Sequence, residues 1–119
     1  MPALEVPALP VSKITESARG EECQIRIPGW CNGNRETTVW AHANGSAAGK
    51  GIGMKADDLL GAYGCSNCHD IYDRRRPTPQ GMTREEVELC FWEGHARSLV
   101  MLIKKGVISV LRGVVKVAA

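Results

Sequence analysis

Two kinds of metal-binding side chain lie side by side in the segment Gly64-Cys65-Ser66-Asn67-Cys68-His69-Asp70-Ile71-Tyr72-Asp73. Cys65 and Cys68 have the C-x-x-C spacing, in which the intervening turn brings two thiolates to one ion. On a helix that begins just after Cys65, His69 and Asp73 stand four residues apart and share one face. Soft and hard ligands prefer different metals. The segment therefore predicts two ions, one structural and one working.

The chain around this segment is short and poor in aromatic side chains, with 119 residues, three Trp, two Tyr and one Phe. A domain of this size has limited material for a hydrophobic core and often needs a staple. Five cysteines are available, and neither a signal peptide nor an apolar run of membrane-spanning length is recognisable. We therefore expect a cytoplasmic protein without a membrane partner, in which cysteines bind metal rather than form disulfides.

A second cysteine pair completes a set of four. Cys23 and Cys31 flank a Pro-Gly turn, which can aim both sulfurs at one ion. Together with Cys65 and Cys68 they fit a closed tetrahedral zinc site better than an open catalytic one. The alternative is a group of buried free thiols. Cys90 lies on the apolar face of a predicted helix and is expected to pack in the core.

Short strands and helices predict an α+β fold. We expect a short helix at residues 17–22 and a strand at residues 23–27, which alternate apolar and polar side chains. Residues 37–42 are the strongest predicted strand, because they are rich in β-branched and aromatic side chains. Residues 44–55, rich in Gly, Ala and Lys, predict a loop. Residues 57–64 then lead into the C-x-x-C segment as a short strand or an extended run.

A long helix is predicted in the second half of the chain. Thr83 and Glu86 form a capping-box pattern at its start, Gly94 is a candidate kink, and Gly106 is a natural stop. Residues 107–119 are expected to form a final strand or a tail on the core.

The domain organisation is predicted to be simple. Residues 1–15, with three prolines, are expected to be a flexible N-terminal arm, and residues 16–119 a single domain. The helix that follows Cys65 should end at Pro77 and Pro79, because proline cannot continue it.

His42 and a basic run complete the candidate site. His42 ends the predicted strand at residues 37–42; a strand histidine, a loop and a metal-ligand helix is the order of the ββα-metal nuclease finger. Taken alone, a strand histidine is usually structural. His95 is expected to be a surface or core residue rather than a metal ligand. The run Arg74–Arg76 follows Asp73 directly and is a candidate phosphate contact, or else a solvated face.

Three stretches are distinctive when taken together: Arg19-Gly20-Glu21-Glu22-Cys23-Gln24-Ile25-Arg26-Ile27-Pro28-Gly29-Trp30-Cys31-Asn32-Gly33-Asn34, then Trp40-Ala41-His42, then Cys65-Ser66-Asn67-Cys68-His69-Asp70-Ile71-Tyr72-Asp73-Arg74-Arg75. They resemble the YbcO-type predicted nucleases of prophages, a small family related to the HNH endonucleases. Weaker similarity continues to residue 108, so that the resemblance covers roughly residues 17–108.

The resemblance implies a small zinc-stapled HNH-like domain (ββα-metal, or His-Me finger) with an additional C-terminal helix. It implies a metal-dependent DNA endonuclease, acting on duplex or branched DNA in phage recombination or repair, with recombination proteins as possible partners. By position, His42 matches the general base and His69 the final histidine of the HNH pattern. Asp73 extends the ligand set for a catalytic Mg²⁺ or Mn²⁺. Asp58 lies where HNH proteins carry their central Asn and is a further candidate ligand of that cation.

Two other functions are compatible with parts of the pattern. A zinc-stapled nucleic-acid-binding module without catalysis would use the four cysteines and the arginines, but would leave His42 and Asp73 without a role. Cys65-x-x-Cys68-His69 is also the attachment signature of c-type haem. The haem interpretation leaves Cys23 and Cys31 unexplained.

Overall fold

A computed structural model describes residues 13–44, 58–111 and 114–118 of the chain. The predicted N-terminal arm up to residue 12 and most of the predicted loop at residues 44–55 lie outside these ranges. In chain order the elements are α1 (Lys13–Glu16), a 3-10 helix (Arg35–Thr37), β1 (Val39–His42), β2 (Gly61–Gly64), α2 (Ser66–Tyr72), α3 (Arg84–Lys104), β3 (Ile108–Leu111) and β4 (Val114–Val117). The α+β class is confirmed.

A β1–β2–α2 unit forms the centre of the fold. β1 pairs with β2 in antiparallel register, with Val39 opposite Gly64 and His42 opposite Gly61. α2 follows β2 after one residue, Cys65, whose Sγ accepts the backbone N–H of Cys68 and caps the helix. The strand at the C-x-x-C segment and the helix after it are therefore confirmed.

α2 is shorter than predicted. It ends at Tyr72, and Arg74 adopts the left-handed conformation with φ 64°. The helix therefore stops before it reaches Pro77, and the prediction that the prolines end it is wrong. Because α2 has only seven residues, it spans about 10 Å.

α3 covers β2 and carries the predicted capping box, in which Thr83 and Glu86 each accept the other's backbone N–H. It runs unbroken through Gly94, where a kink was expected. Gly94 is buried, and a Cβ built there would lie 2.7 Å from the carbonyl oxygen of Gln24. Gly94 thus allows α3 to lie directly against the backbone at Gln24. Gly106, with φ 73°, follows the end of the helix as predicted.

The core consists of two clusters of buried side chains. In the first, which contains the cysteines, Tyr72 of α2 stacks on Phe91 of α3 with ring centroids 3.9 Å apart. In the second, Trp40 and Tyr63 from the two strands meet edge to face, and Ile14 from α1 is buried against them. Both clusters lie against the β1–β2 hairpin, which therefore holds the two halves of the core together.

Three predictions near the N-terminus need correction or refinement. The helix expected at residues 17–22 lies earlier, at Lys13–Glu16, because burial of Ile14 fixes it there. The strand expected at residues 23–27 does not form; the left-handed Arg26 (φ 56°) breaks it. α1 also begins inside the segment assigned to the arm and extends one residue past its boundary at residue 15, which stays a prediction.

The C-terminal segment forms the strand that was one of its two expected states. β3 and β4 make an antiparallel hairpin, with Ile108 opposite Val117. Within the described ranges, every helix is too short or too polar to cross a bilayer.

Replacement of Gly94 by alanine should destabilise the protein even though alanine favours a helix interior by about 1 kcal/mol over glycine. The new methyl group would meet backbone atoms of Gln24 and Ile25, which cannot move aside as the end of a flexible side chain could. We expect a net loss of about 1–3 kcal/mol in the free energy of unfolding, measured by urea denaturation. Glu93→Ala, at an exposed neighbouring position, is the control. A Gly94→Ala protein as stable as the wild type would contradict the close approach.

Candidate functional site

The four cysteine sulfurs predicted to share an ion do meet. Cys23 and Cys31 come from the irregular chain before the strands, and Cys65 and Cys68 from the start of α2. Their Sγ atoms all lie within 4.8 Å of one another, and those of Cys31 and Cys65 are 4.0 Å apart. In a tetrahedral zinc site with Zn–S bonds of about 2.3 Å, the sulfurs are about 3.8 Å apart. The cluster therefore suggests a structural zinc site.

The protonation of these thiols also fits a metal site. A hydrogen bond with Cys68 lowers the pKa of Cys23 to about 5, and burial raises the pKa of Cys31 to about 11. The bond with Cys23 raises the pKa of Cys68 above its usual range. Without an ion, Cys23 thus favours the thiolate form, whereas Cys31 and Cys68 favour the protonated thiol. A divalent cation removes this conflict, because it neutralises the charge of several thiolates together.

Backbone amides support the sulfurs from outside the cluster. The N–H of Ile27 points at Cys68 Sγ at 3.4 Å, and the N–H of Cys68 at Cys65 Sγ at 3.5 Å. All five cysteines are free thiols, and Cys90 packs against the first core cluster as expected. The engagement of Cys65 and Cys68 with the other pair favours zinc over haem attachment.

At the other end of α2, His69 and Asp73 form the predicted pair on one face. His69 Nε2 and Asp73 Oδ2 are 3.0 Å apart, and both side chains are about one quarter exposed. Burial by itself raises the pKa of the Asp73 carboxyl, but hydrogen bonds from His69 and Asn44 outweigh it and lower that pKa to about 2. Asp73 is therefore a carboxylate throughout the ordinary pH range and can bind a cation.

Asn44 is the residue that the sequence analysis missed. Its Nδ2 donates to Asp73 Oδ1 at 3.0 Å, and its backbone N–H donates to the Tyr72 hydroxyl at 2.8 Å. Since Asn44 lies two residues after His42, these bonds join the end of β1 to the end of α2. The sequence signal was weak, because an asparagine at the start of a predicted loop is common in turns.

His42 pairs with Asp58, which was predicted as a metal ligand. His42 Nε2 lies 2.9 Å from Asp58 Oδ1, and both side chains reach solvent. In the described part of the chain, three or more metal-binding side chains come close together only at the four cysteines. His42–Asp58 and His69–Asp73 therefore form two separate pairs.

The three arginines after α2 are exposed but differ in their contacts. Arg75 reaches Asp70 at 2.9 Å and Asp73 at 3.6 Å, whereas Arg76 reaches Asp70 at 3.8 Å. The guanidinium of Arg74 makes no ion pair with a described residue. Positive charge is thus concentrated beside the His69–Asp73 pair.

His95, expected to be a surface or core residue rather than a ligand, lies on α3. Its Nδ1 is 2.6 Å from the carbonyl oxygen of Gly61, to which it donates, and its ring meets that of Trp92 edge to face. The histidine thus ties α3 to the start of β2.

Comparison with known proteins gives consistent matches over most of the chain. A family model described as "Putative nuclease YbcO" matches residues 12–107, so the match ends just before β3. Two similar proteins are described as putative nucleases of the same name, one from Escherichia coli (strain K12) and one from Enterobacteria phage 82. Each is 44% identical over 99 residues, which cover 82% of this chain and 98% of the relative.

A solved structure is also similar. Its title is "Structure of a putative bacteriophage protein from Escherichia coli str. K-12 substr. MG1655". It is 43% identical with a TM-score of 0.63, and the match covers 77% of this chain and 98% of that one. The arrangement of helices and strands described above thus has an independent counterpart.

The protein as purified should hold one zinc ion per chain, and Cys65→Ser should lose it. Because metal binding supplies much of the folding free energy of a small domain, the melting temperature should fall with the metal. Elemental analysis and thermal melting of wild type and variant measure both effects. Cys90→Ser is the matched control, since Cys90 lies outside the cluster, and it should retain zinc. A zinc-free wild-type protein that melts at the same temperature as the zinc-loaded protein would contradict the zinc site.

Proposed function

The chain belongs to the family described as "Putative nuclease YbcO", and on that premise we propose that it is a metal-dependent DNA endonuclease with an HNH-like active site. A nuclease family implies a nucleic-acid substrate. DNA, duplex or branched, is the substrate we propose, and phage recombination or repair, with its recombination proteins, is the setting. One observation carries the proposal: Asn44 joins the end of the histidine-bearing strand to Asp73 at the end of α2. A ββα-metal finger requires that juxtaposition.

His42 is the proposed general base. Asp58 accepts a hydrogen bond from the Nε2–H of the neutral imidazole, which leaves Nδ1 with a free lone pair. A water molecule next to Nδ1 can then give up its proton as it attacks the phosphorus. In this proposal Asp58 orients His42, a role that fits its observed contact better than membership of the cation ligand set does.

His69 and Asp73 are the proposed ligands of a catalytic cation. Neighbouring ligands of an octahedral Mg²⁺ at about 2.1 Å lie about 3.0 Å apart, which agrees with the 3.0 Å between His69 Nε2 and Asp73 Oδ2. Bound there, Mg²⁺ or Mn²⁺ would neutralise charge on the scissile phosphate and stabilise the leaving oxygen. Asn44 holds the second oxygen of Asp73, so the carboxylate keeps its orientation toward His69.

His42→Ala should abolish most nicking of supercoiled plasmid in Mg²⁺ or Mn²⁺, by about 100-fold or more, because no base remains to take the proton from water. Zinc content and DNA binding should not change. Asp73→Ala should recover some activity at high Mn²⁺, whereas His42→Ala should not. If His42→Ala nicks plasmid at the wild-type rate, the non-catalytic zinc module becomes the better interpretation.

The exposed arginines are the proposed phosphate contacts. Replacement of Arg74, Arg75 and Arg76 together by Gln should weaken DNA binding equally for different sequences. It should also flatten the salt dependence, by about 0.9 in the log–log slope for each lost contact with duplex DNA. Arg35→Gln, an exposed arginine that pairs with Glu22, is the control. An unchanged slope in the triple variant would mean that the three arginines form a solvated face and do not contact phosphate.

A further inference from the structure

Among the three arginines of the run, Arg75 is the one whose guanidinium contacts both His69 and Asp73. We propose that Arg75 neutralises the His69–Asp73 pair in the cation-free protein, and that cation binding displaces its guanidinium toward the DNA phosphate. The proposal rests on the proposed function, because it takes His69 and Asp73 as the cation ligands. It assigns different roles to arginines that the sequence presents as one run.

The contacts of Arg75 carry the proposal. Its Nη2 lies 3.3 Å from His69 Nδ1 and 3.6 Å from Asp73 Oδ2, the carboxylate oxygen that also contacts His69 Nε2. Its Nε donates to Asp70 at 2.9 Å. The guanidinium therefore touches both proposed ligands, as a bound cation would. Arg76 reaches neither ligand within ion-pair distance.

Cation binding at His69 and the hydrogen bond between His69 and Arg75 exclude each other. Arginine is always a donor, so its contact with His69 requires that Nδ1 accept and that the ring proton sit on Nε2. A histidine binds a cation through a nitrogen that carries no proton. When Nε2 is a ligand, the proton sits on Nδ1, which then has no lone pair for Arg75. Cation binding at Nε2 therefore removes this hydrogen bond.

Electrostatic repulsion also favours displacement of the Arg75 guanidinium when a cation binds. A divalent ion on Asp73 Oδ2 would place two positive charges beside the guanidinium and weaken its attraction to that carboxylate. The bond from Nε to Asp70 involves neither proposed ligand, so it can keep the side chain close to the site. Guanidinium groups bind phosphate oxygens through two parallel hydrogen bonds. The released group is thus well placed to meet a phosphate that approaches the cation.

The first test measures Mn²⁺ affinity of the zinc-loaded protein without DNA, by calorimetry or by the electron paramagnetic resonance of free Mn²⁺. Arg75→Gln should bind Mn²⁺ about two- to fivefold more tightly than wild type, since a partly exposed ion pair no longer competes. Arg76→Gln is the matched control and should bind as wild type does. Zinc content and melting temperature check that both variants are folded.

The second test measures DNA affinity in a His42→Ala background, which prevents cleavage, with and without Mn²⁺. Arg75→Gln should weaken binding more strongly when Mn²⁺ is present, whereas Arg74→Gln should weaken it equally in both conditions. Equal Mn²⁺ affinities of wild type and Arg75→Gln, or an Arg75 effect on DNA binding that ignores Mn²⁺, would overturn this proposal alone. A wild-type protein that binds no Mn²⁺ beyond its zinc would overturn both this proposal and the cation site of the proposed function.

Discussion

Four cysteine sulfurs crowded within 4.8 Å are the constraint on which the rest of the structure depends. Buried thiolates repel one another, and a bound cation would neutralise them and hold the sulfurs in place. Through Cys23 and Cys31 the cluster fixes a segment that belongs to no helix or strand. Through Cys65 and Cys68 it fixes the first turn of α2. A chain with few aromatic side chains can therefore order both segments at once.

The position of the candidate catalytic groups follows from that anchoring. α2 is two turns long, with the cysteines at its start and the His69–Asp73 pair at its end. Such a short helix has little room to bend, so a fixed start also fixes the end. The stack of Tyr72 on Phe91 holds the helix against α3, while the Tyr72 hydroxyl accepts the N–H of Asn44. Tyr72 thus takes part both in core packing and in positioning Asn44 at the candidate site.

Features with a local cause could be predicted from the sequence. The capping box of α3, the strand that ends at His42 and the start of α2 after Cys65 each depend on residues a few positions apart. The cysteine set was recoverable because its ligand chemistry is restrictive. By contrast, the strand expected at residues 23–27 does not form, because the backbone there follows the cysteine cluster rather than the alternation of apolar side chains. Asn44 and the pairing of Asp58 with His42 depend on a tertiary approach that no local pattern encodes.

The left-handed conformation of Arg74 places a side chain where the backbone favours glycine. A β-carbon in this region costs about 1–2 kcal/mol, which a glycine at the end of α2 would avoid. The chain instead carries a guanidinium one residue beyond Asp73, at a thermodynamic disadvantage. A sequence optimised for thermal stability alone would converge on glycine here. Stabilising redesign and retention of charge at this position are therefore opposing objectives, as is common where a binding surface limits the stability of a fold.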